Sequence, residues 1–68
     1  MTQISQKLGD NIKRTRLHRK MTQGDICRAI NMNRCYMSTI EGGKVNVTLA
    51  VLEKLANELD VSVDKLLK

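Results

Sequence analysis

The sequence has 68 residues, enough for one domain with a small core, and a formal net charge of +5. One histidine and two cysteines cannot form a nucleophile–base pair or a metal cluster, so we expect neither an enzyme nor a cofactor. No stretch is apolar enough for a signal peptide or a membrane span. We therefore expect a cytoplasmic protein without a membrane partner or a small-molecule ligand.

The charge is unevenly distributed along the chain. Residues 1–46 carry nine bases and three acids, whereas residues 47–68 carry three bases and four acids. The first segment is therefore suited to approach a polyanion such as double-stranded DNA, and the second is not. The alternative is a solvated basic surface without a partner, because a net charge of this size is also ordinary for solubility.

The first predicted helix runs from about Ile4 to Lys20. Leu8, Ile12 and Leu17 form a narrow apolar stripe along it, and Gly9 weakens the helix near its start. Basic residues gather toward its C-terminal half, where cations also suit the helix dipole: Lys13, Arg14, Arg19 and Lys20.

The stretch from Thr22 to Gly42 predicts two short helices joined by a tight corner. Thr22 is a good N-cap for the first helix, and Asp25 three residues later completes a capping-box-like pair. Asn31 suits the corner, because asparagine readily adopts the left-handed conformation. Asn33 is the N-cap of the second helix, and the glycines at 42 and 43 end it.

The apolar residues of this stretch follow the spacing of a DNA-binding helix-turn-helix. They are Ile26, Ile30, Met32, Met37 and Ile40, with the small Cys27 where two helices cross. The alternative is an ordinary helical hairpin, which shares this spacing. A hairpin does not explain why the outward face of the second helix carries hardly an acid.

An exposed loop over residues 43–47 follows the motif. Thr48 then caps a fourth helix that ends at Asp60, and Ser62 caps a short fifth helix from Val63 to Leu67. This region has more apolar residues than one inward stripe needs. We predict that those left over form an exposed patch that holds a two-fold homodimer: Leu49, Val51, Val61, Val63 and Leu67.

Cys27 and Cys35 are predicted on different sides of the motif, one inside the first helix and the other on the outer face of the second. A disulfide between them is therefore not expected. Both are interpreted as reduced thiols of a cytosolic protein.

In a helix-turn-helix, the second helix enters the major groove with its N-terminal residues at the base edges. The candidates for base contacts are therefore Asn33, Arg34, Cys35, Ser38 and Thr39. Arg34 is the strongest, because its fork matches O6 and N7 of guanine. Asn33 is better explained as the helix cap.

Phosphate contacts are expected beside the recognition helix. Gln23 stands at a helix N-terminus, where free N–H groups suit an anion, and Lys44 and Asn46 lie in the following loop. Tyr36, on the second helix, could be a core residue, although its hydroxyl would then need a hydrogen-bond partner.

Four segments together resemble the XRE family, the lambda-repressor-like domain shared by Cro and the lambda and 434 repressors. They are Thr22–Gln23, Ile26–Cys27, Tyr36–Gly42 and Leu52–Ala56, and the resemblance extends from about Leu8 to Leu67. It implies an all-α, five-helix fold over residues 1–68, with the helix-turn-helix at helices 2 and 3. It also implies a transcriptional regulator that binds a palindromic operator in the nucleoid.

Two further expectations come from this resemblance. Arg16 and Glu41 match family positions that form a partly buried ion pair, where the alternative is two surface charges. Within the family, residues 34–38 and 46–48 are most similar to controller proteins of restriction–modification systems. That similarity implies a phosphate or backbone contact for Tyr36, whereas Val45 stands where those proteins carry arginine.

A second hypothesis is an antitoxin-type protein-binding module that binds DNA to regulate its own operon. A neighbouring toxin gene would favour it, and an adjacent endonuclease and methyltransferase would favour the controller. RNA binding is less well supported, because Tyr36 is the only aromatic residue available for base stacking.

Overall fold

The computed structural model describes the backbone of residues 3–68 and the side chains from Ile4 onward. Five α-helices and no strand occur in this part of the chain. They are α1 (Gln3–His18), α2 (Gln23–Ile30), α3 (Arg34–Glu41), α4 (Leu49–Leu59) and α5 (Val63–Leu67). The predicted all-α, five-helix class is confirmed, with the helix-turn-helix at α2 and α3.

The caps of α2 and α3 are those that the sequence predicts. The backbone N–H of Asp25 donates to Thr22 Oγ1 at 3.0 Å, and that of Thr22 donates to Asp25 Oδ2 at 2.8 Å. Asn31 turns the chain with a left-handed φ of 57°. Asn33 Oδ1 then accepts hydrogen bonds from the backbone N–H groups of Cys35 and Tyr36, which begin α3.

α1 ends two residues before the predicted Lys20. Lys20 adopts a left-handed φ of 59°, and its N–H donates to Leu17 O. The N–H of Met21 donates to Arg16 O, which completes a Schellman-type end. The sequence prediction extended the helix because lysine, unlike glycine or asparagine, does not mark a left-handed residue.

The apolar stripe of α1 also differs from the prediction. Leu8 and Ile12 are buried, but Leu17 is 55% exposed. The inward row continues four residues after Ile12 to Arg16, and Leu17 lies about 100° further around the helix. A charged residue therefore occupies a core-facing position, which a search for apolar periodicity does not detect.

Gly9 is more than a weak point in α1. A Cβ atom there would lie 2.4 Å from Ile40 O and 2.8 Å from Glu41 O, so a side chain cannot fit. α1 thus crosses the C-terminal end of α3 at backbone contact.

The core is aliphatic, with methionine as filler. Its buried members are Leu8, Ile12, Ile26, Cys27, Met37, Ile40, Leu52, Leu55, Ala56, Leu59 and Leu66. Of the helices described here, none is both long and apolar enough to cross a membrane.

The C-terminal apolar patch is smaller than predicted. Leu49 is 66% and Leu67 43% exposed, but Val51, Val61 and Val63 are half-buried and pack against the chain's own core. Val51 lines a cleft beside the α2–α3 corner, whereas Val61 lines another beside α1. The expectation of a contiguous five-residue patch is therefore wrong, because part of it closes the edges of the small core.

Candidate DNA-binding interface

α3 has one buried and one exposed side. Met37, Ile40 and Glu41 are buried, whereas Arg34, Cys35 and Ser38 are exposed. Thr39 is half-buried, and its hydroxyl donates to Cys35 O at 2.8 Å. It therefore keeps only its methyl group and its oxygen lone pairs for an outside partner.

Both carboxylates of α2 and α3 already have partners. Asp25 Oδ1 lies 2.7 Å from Arg28 Nη2. Hydrogen bonds from the backbone and side chain of Thr22 hold the pKa of Asp25 below its usual value, so this carboxylate is ionised and paired at neutral pH. Glu41 is buried beside Arg16. The α2–α3 unit therefore presents no unpaired acid that would repel an approaching polyanion.

Arg16 and Glu41 form a buried, bidentate ion pair. Arg16 Nε lies 2.7 Å from Glu41 Oε2, and Nη2 lies 3.1 Å from Oε1. Arg16 Nη1 also donates to Met21 O at 2.9 Å. The hydrogen bond to Glu41 raises the pKa of Arg16, which therefore stays protonated. The two side chains join α1 to the C-terminal end of α3.

Gln23 adds α2 to this junction. Its Nε2 donates to Glu41 Oε1 at 3.0 Å, and its side chain is half-buried. We call Arg16, Gln23 and Glu41 the polar clamp. The clamp sets how α3 lies against α1 and α2, because three helices meet on one carboxylate. The sequence predicted only a phosphate contact for Gln23. Its hydrogen bond to Glu41 was missed, because the two residues are 18 positions apart and no local pattern connects them.

A cleft beside the polar clamp brings a further cation toward α3. Lys13 of α1 lines it together with Gln23, Ser38 and Gly42. The sequence names Lys13 only as one of several cations in the basic N-terminal segment and does not single it out. Its spacing could have shown it, because Lys13 lies three residues before Arg16 and so shares its side of α1.

Two other cations of the basic N-terminal segment, Arg14 of α1 and Arg19 just after its end, do not share the cleft of Lys13. Arg14 and Arg19 line a different cleft, together with Val61 and Lys65. Arg19 Nη1 lies 3.8 Å from Asp60 Oδ2, a weak contact at the surface. The basic N-terminal segment is therefore divided between two sides of α1.

The predicted phosphate contacts occupy different surroundings. Lys44 and Asn46 are exposed in the loop after α3, and Asn46 Oδ1 accepts a hydrogen bond from Ser5. Tyr36 is half-buried and lines a cleft with Met32 and Val51. Gln23 is held in the polar clamp.

The cysteines are both free thiols. Cys27 is buried, and burial raises the pKa of its thiol, so it remains protonated and unreactive. Cys35 is exposed on α3. From Ile4 to Lys68, the side chains include no group of three that could hold a metal ion.

A family model described as a helix-turn-helix domain matches residues 7–67, so the chain belongs to the helix-turn-helix family. Control protein C.MunI of Mycoplasma sp is 33% identical over 67 residues, which are 97% of this chain and 90% of that protein. The resemblance to the XRE family and to controller proteins is thereby confirmed.

Two further relatives differ in how much of their length is matched. The immunity repressor protein of Bacillus phage phi105 is 36% identical over 56 residues, 82% of this chain but only 39% of the repressor. The chain thus spans about two fifths of that relative. The restriction–modification controller protein C.Esp1396I, solved as a tetramer with its natural 35 base-pair operator, is 32% identical over 100% of both chains, with a TM-score of 0.84.

Proposed function

We propose that this protein is a sequence-specific, DNA-binding transcriptional regulator that acts as a homodimer on a palindromic operator. The observation that carries the proposal is the outward side of α3, which presents Arg34, Cys35 and Ser38 while its only acid is buried in the polar clamp. Membership of the helix-turn-helix family supports the same function.

In this proposal α3 lies in the major groove with its N-terminal end at the base edges. Arg34 is exposed and donates to O6 and N7 of a guanine, a contact worth about 1–3 kcal/mol of discrimination. Ser38, Thr39 and Cys35 contact neighbouring bases. Asn33 acts first as the cap of α3, because its Oδ1 already accepts two backbone N–H groups.

The phosphate contacts flank the groove on both sides of α3. Lys44 and Asn46 are exposed on the loop after it, and Lys13 borders the cleft on the side of α1. Gln23 and Tyr36 contact the DNA backbone through the parts of their side chains that face solvent. These contacts fix the position of the protein on the duplex but carry no sequence information.

The proposed dimer uses the exposed Leu49 and Leu67 of α4 and α5. A closed two-fold pairing sets the two recognition helices about 34–36 Å apart and requires a palindromic site. Residues 1–68 act as one DNA-binding domain, in the cytoplasm at the nucleoid, and not as an enzyme.

Among regulators, we favour a restriction–modification controller. The similarity to C.MunI and to C.Esp1396I, each covered along 90% or more of its length, supports this reading. An antitoxin that autoregulates its operon is the second candidate. The genome neighbourhood separates the two, since an adjacent endonuclease and methyltransferase favour the controller and a toxin gene favours the antitoxin.

Duplex-DNA titrations test the proposal, after selection of an operator from random sequences. Arg34→Ala should weaken operator binding at one base position per half-site, whereas Lys44→Ala should weaken operator and random DNA alike. Affinity should fall with salt at a log–log slope of roughly −5 to −7 for about 6–8 neutralised phosphates. A slope near zero, or equal losses on both DNAs for Arg34→Ala, would contradict these roles.

Sedimentation tests the dimer. Leu67→Glu and Leu49→Glu place like charges on exposed positions without disturbing the core, so each should give monomers that bind operator poorly. Leu17→Glu is the matched control, since Leu17 is similarly exposed but lies on α1. A wild-type protein that stays monomeric yet binds operator tightly and without cooperativity would exclude the dimer.

A further inference from the structure

The loop after α3 packs against the N-terminal half of α1. Gly43 leaves α3 with a left-handed φ of 73°, and the N–H of Lys44 donates to Thr39 O at 3.2 Å, as in a Schellman end. A Cβ atom on Gly43 would lie 2.7 Å from the Cα atom of Gln6. The path of the loop is therefore fixed by backbone contact with α1.

The loop alternates between inward and outward residues. Val45 and Val47 are half-buried and pack against the core, and Asn46 between them is exposed. Ser5, on α1, is buried and 41 residues away in sequence. Its hydroxyl donates to Asn46 Oδ1 at 2.5 Å.

In the structure, this hydrogen bond holds the oxygen of the amide toward α1. An asparagine side chain has one oxygen that accepts and one NH₂ group that donates. Since Ser5 holds the oxygen against α1, the NH₂ group occupies the other branch of an exposed side chain. A phosphate oxygen only accepts hydrogen bonds, so an outward NH₂ group suits it and an outward amide oxygen does not.

We propose that Ser5 is a positioning residue for DNA binding: it holds Asn46 Oδ1 so that Asn46 Nδ2 donates to a backbone phosphate. The inference rests on the proposed function and deepens it by assigning a role to a buried residue of α1. Without the Ser5 hydroxyl, Asn46 Oδ1 loses this hydrogen bond, and the amide presents its donors to the phosphate for less of the time.

A double-mutant cycle on duplex-DNA affinity tests the proposal, with Ser5→Ala, Asn46→Ala and the double variant measured at one salt concentration. Each single change should weaken binding to operator and random DNA alike, by roughly three- to tenfold, the range of one hydrogen bond. The double variant should bind no more weakly than Asn46→Ala alone, because Ser5 acts only through Asn46.

Ser62→Ala is the matched control for folding. It removes the serine hydroxyl that caps α5 by accepting from Lys65 N, and so lowers stability away from the loop. It should leave DNA affinity unchanged at temperatures where all variants are folded and at concentrations where sedimentation shows all of them to be dimers. If Ser5 contributed only to folding, Ser5→Ala would likewise lower stability and leave DNA affinity unchanged.

Two outcomes overturn the positioning role while leaving the proposed function intact. One is a Ser5→Ala variant that binds DNA like the wild type while Asn46→Ala does not. The other is a Ser5→Ala loss of equal size with and without Asn46. Failure of the wild-type protein to bind any duplex would overturn the proposed function as well.

Discussion

The helix-turn-helix and the α4–α5 pair share one apolar core but differ in the polar contacts added to it. α2 and α3 bury Ile26, Cys27, Met37 and Ile40, and the polar clamp also ties them to each other and to α1 through buried, directional hydrogen bonds. α4 and α5 supply five apolar residues to the core and take no part in the clamp: Leu52, Leu55, Ala56, Leu59 and Leu66.

This difference matches what each region has to do. Apolar burial is strong but non-directional, and it tolerates small rotations of a helix. Hydrogen bonds weaken steeply with distance and angle, so a few of them specify an orientation. A helix proposed to enter a DNA groove needs a fixed orientation, whereas the helices behind it need chiefly to exclude water.

The largest expected effect comes from breaking the polar clamp. Glu41→Ala leaves Arg16 buried without its partner, which should lower the free energy of unfolding by about 3–5 kcal/mol. Denaturant unfolding measures this loss. A loss under about 1 kcal/mol, the range of an exposed pair, would show that the pair is solvated.

Replacing both charges separates stability from orientation. In the double variant Arg16→Met with Glu41→Leu, no charge remains buried, so most of the lost stability should return. DNA affinity should not return with it, because Gln23 no longer has Glu41 Oε1 to hold α2 against α3. Full recovery of both would mean that packing alone orients α3.

The second effect tests the other region. Leu55 is fully buried in α4, and Leu55→Ala should cost about 2–5 kcal/mol by leaving a cavity. The apolar side chain of Leu55 makes no hydrogen bond to any residue proposed to contact DNA. The folded fraction should therefore bind operator as the wild type does. Affinity corrected for the folded fraction checks this, and a clear loss would mean that the core also orients α3.

The sequence predicts best where a single residue type has one structural meaning. Thr22 with Asp25, Asn31 and Asn33 are all chemical signals for caps and turns, and each lies where expected. The pairing of Arg16 with Glu41 was available only through family resemblance, because 25 residues separate them.

The features that sequence reasoning missed are products of the tertiary fold. Arg16 occupies a position on the inner side of α1 where apolar periodicity predicts a hydrophobic residue. The prediction that Leu17 lies in the core is therefore wrong. The contact of Ser5 with Asn46 and the backbone crossing at Gly9 depend on how α1 lies against α3. No local pattern encodes these distances.

The smallest expected effect concerns the end of α1, beside the polar clamp. Lys20 is exposed and left-handed, and the following Met21 presents its carbonyl to Arg16 Nη1. A non-glycine residue in this conformation costs about 1–2 kcal/mol. Glycine avoids this cost, but it loses more conformational entropy on folding, which offsets part of the gain. Lys20→Gly should therefore stabilise the protein by up to about 1 kcal/mol, or roughly 4–8 °C in Tm. Lys20→Ala is the control, because it removes the same charge and keeps the strain. Equal Tm values for the glycine and alanine variants would show that the left-handed conformation carries no cost here, and that α1 meets the polar clamp without strain.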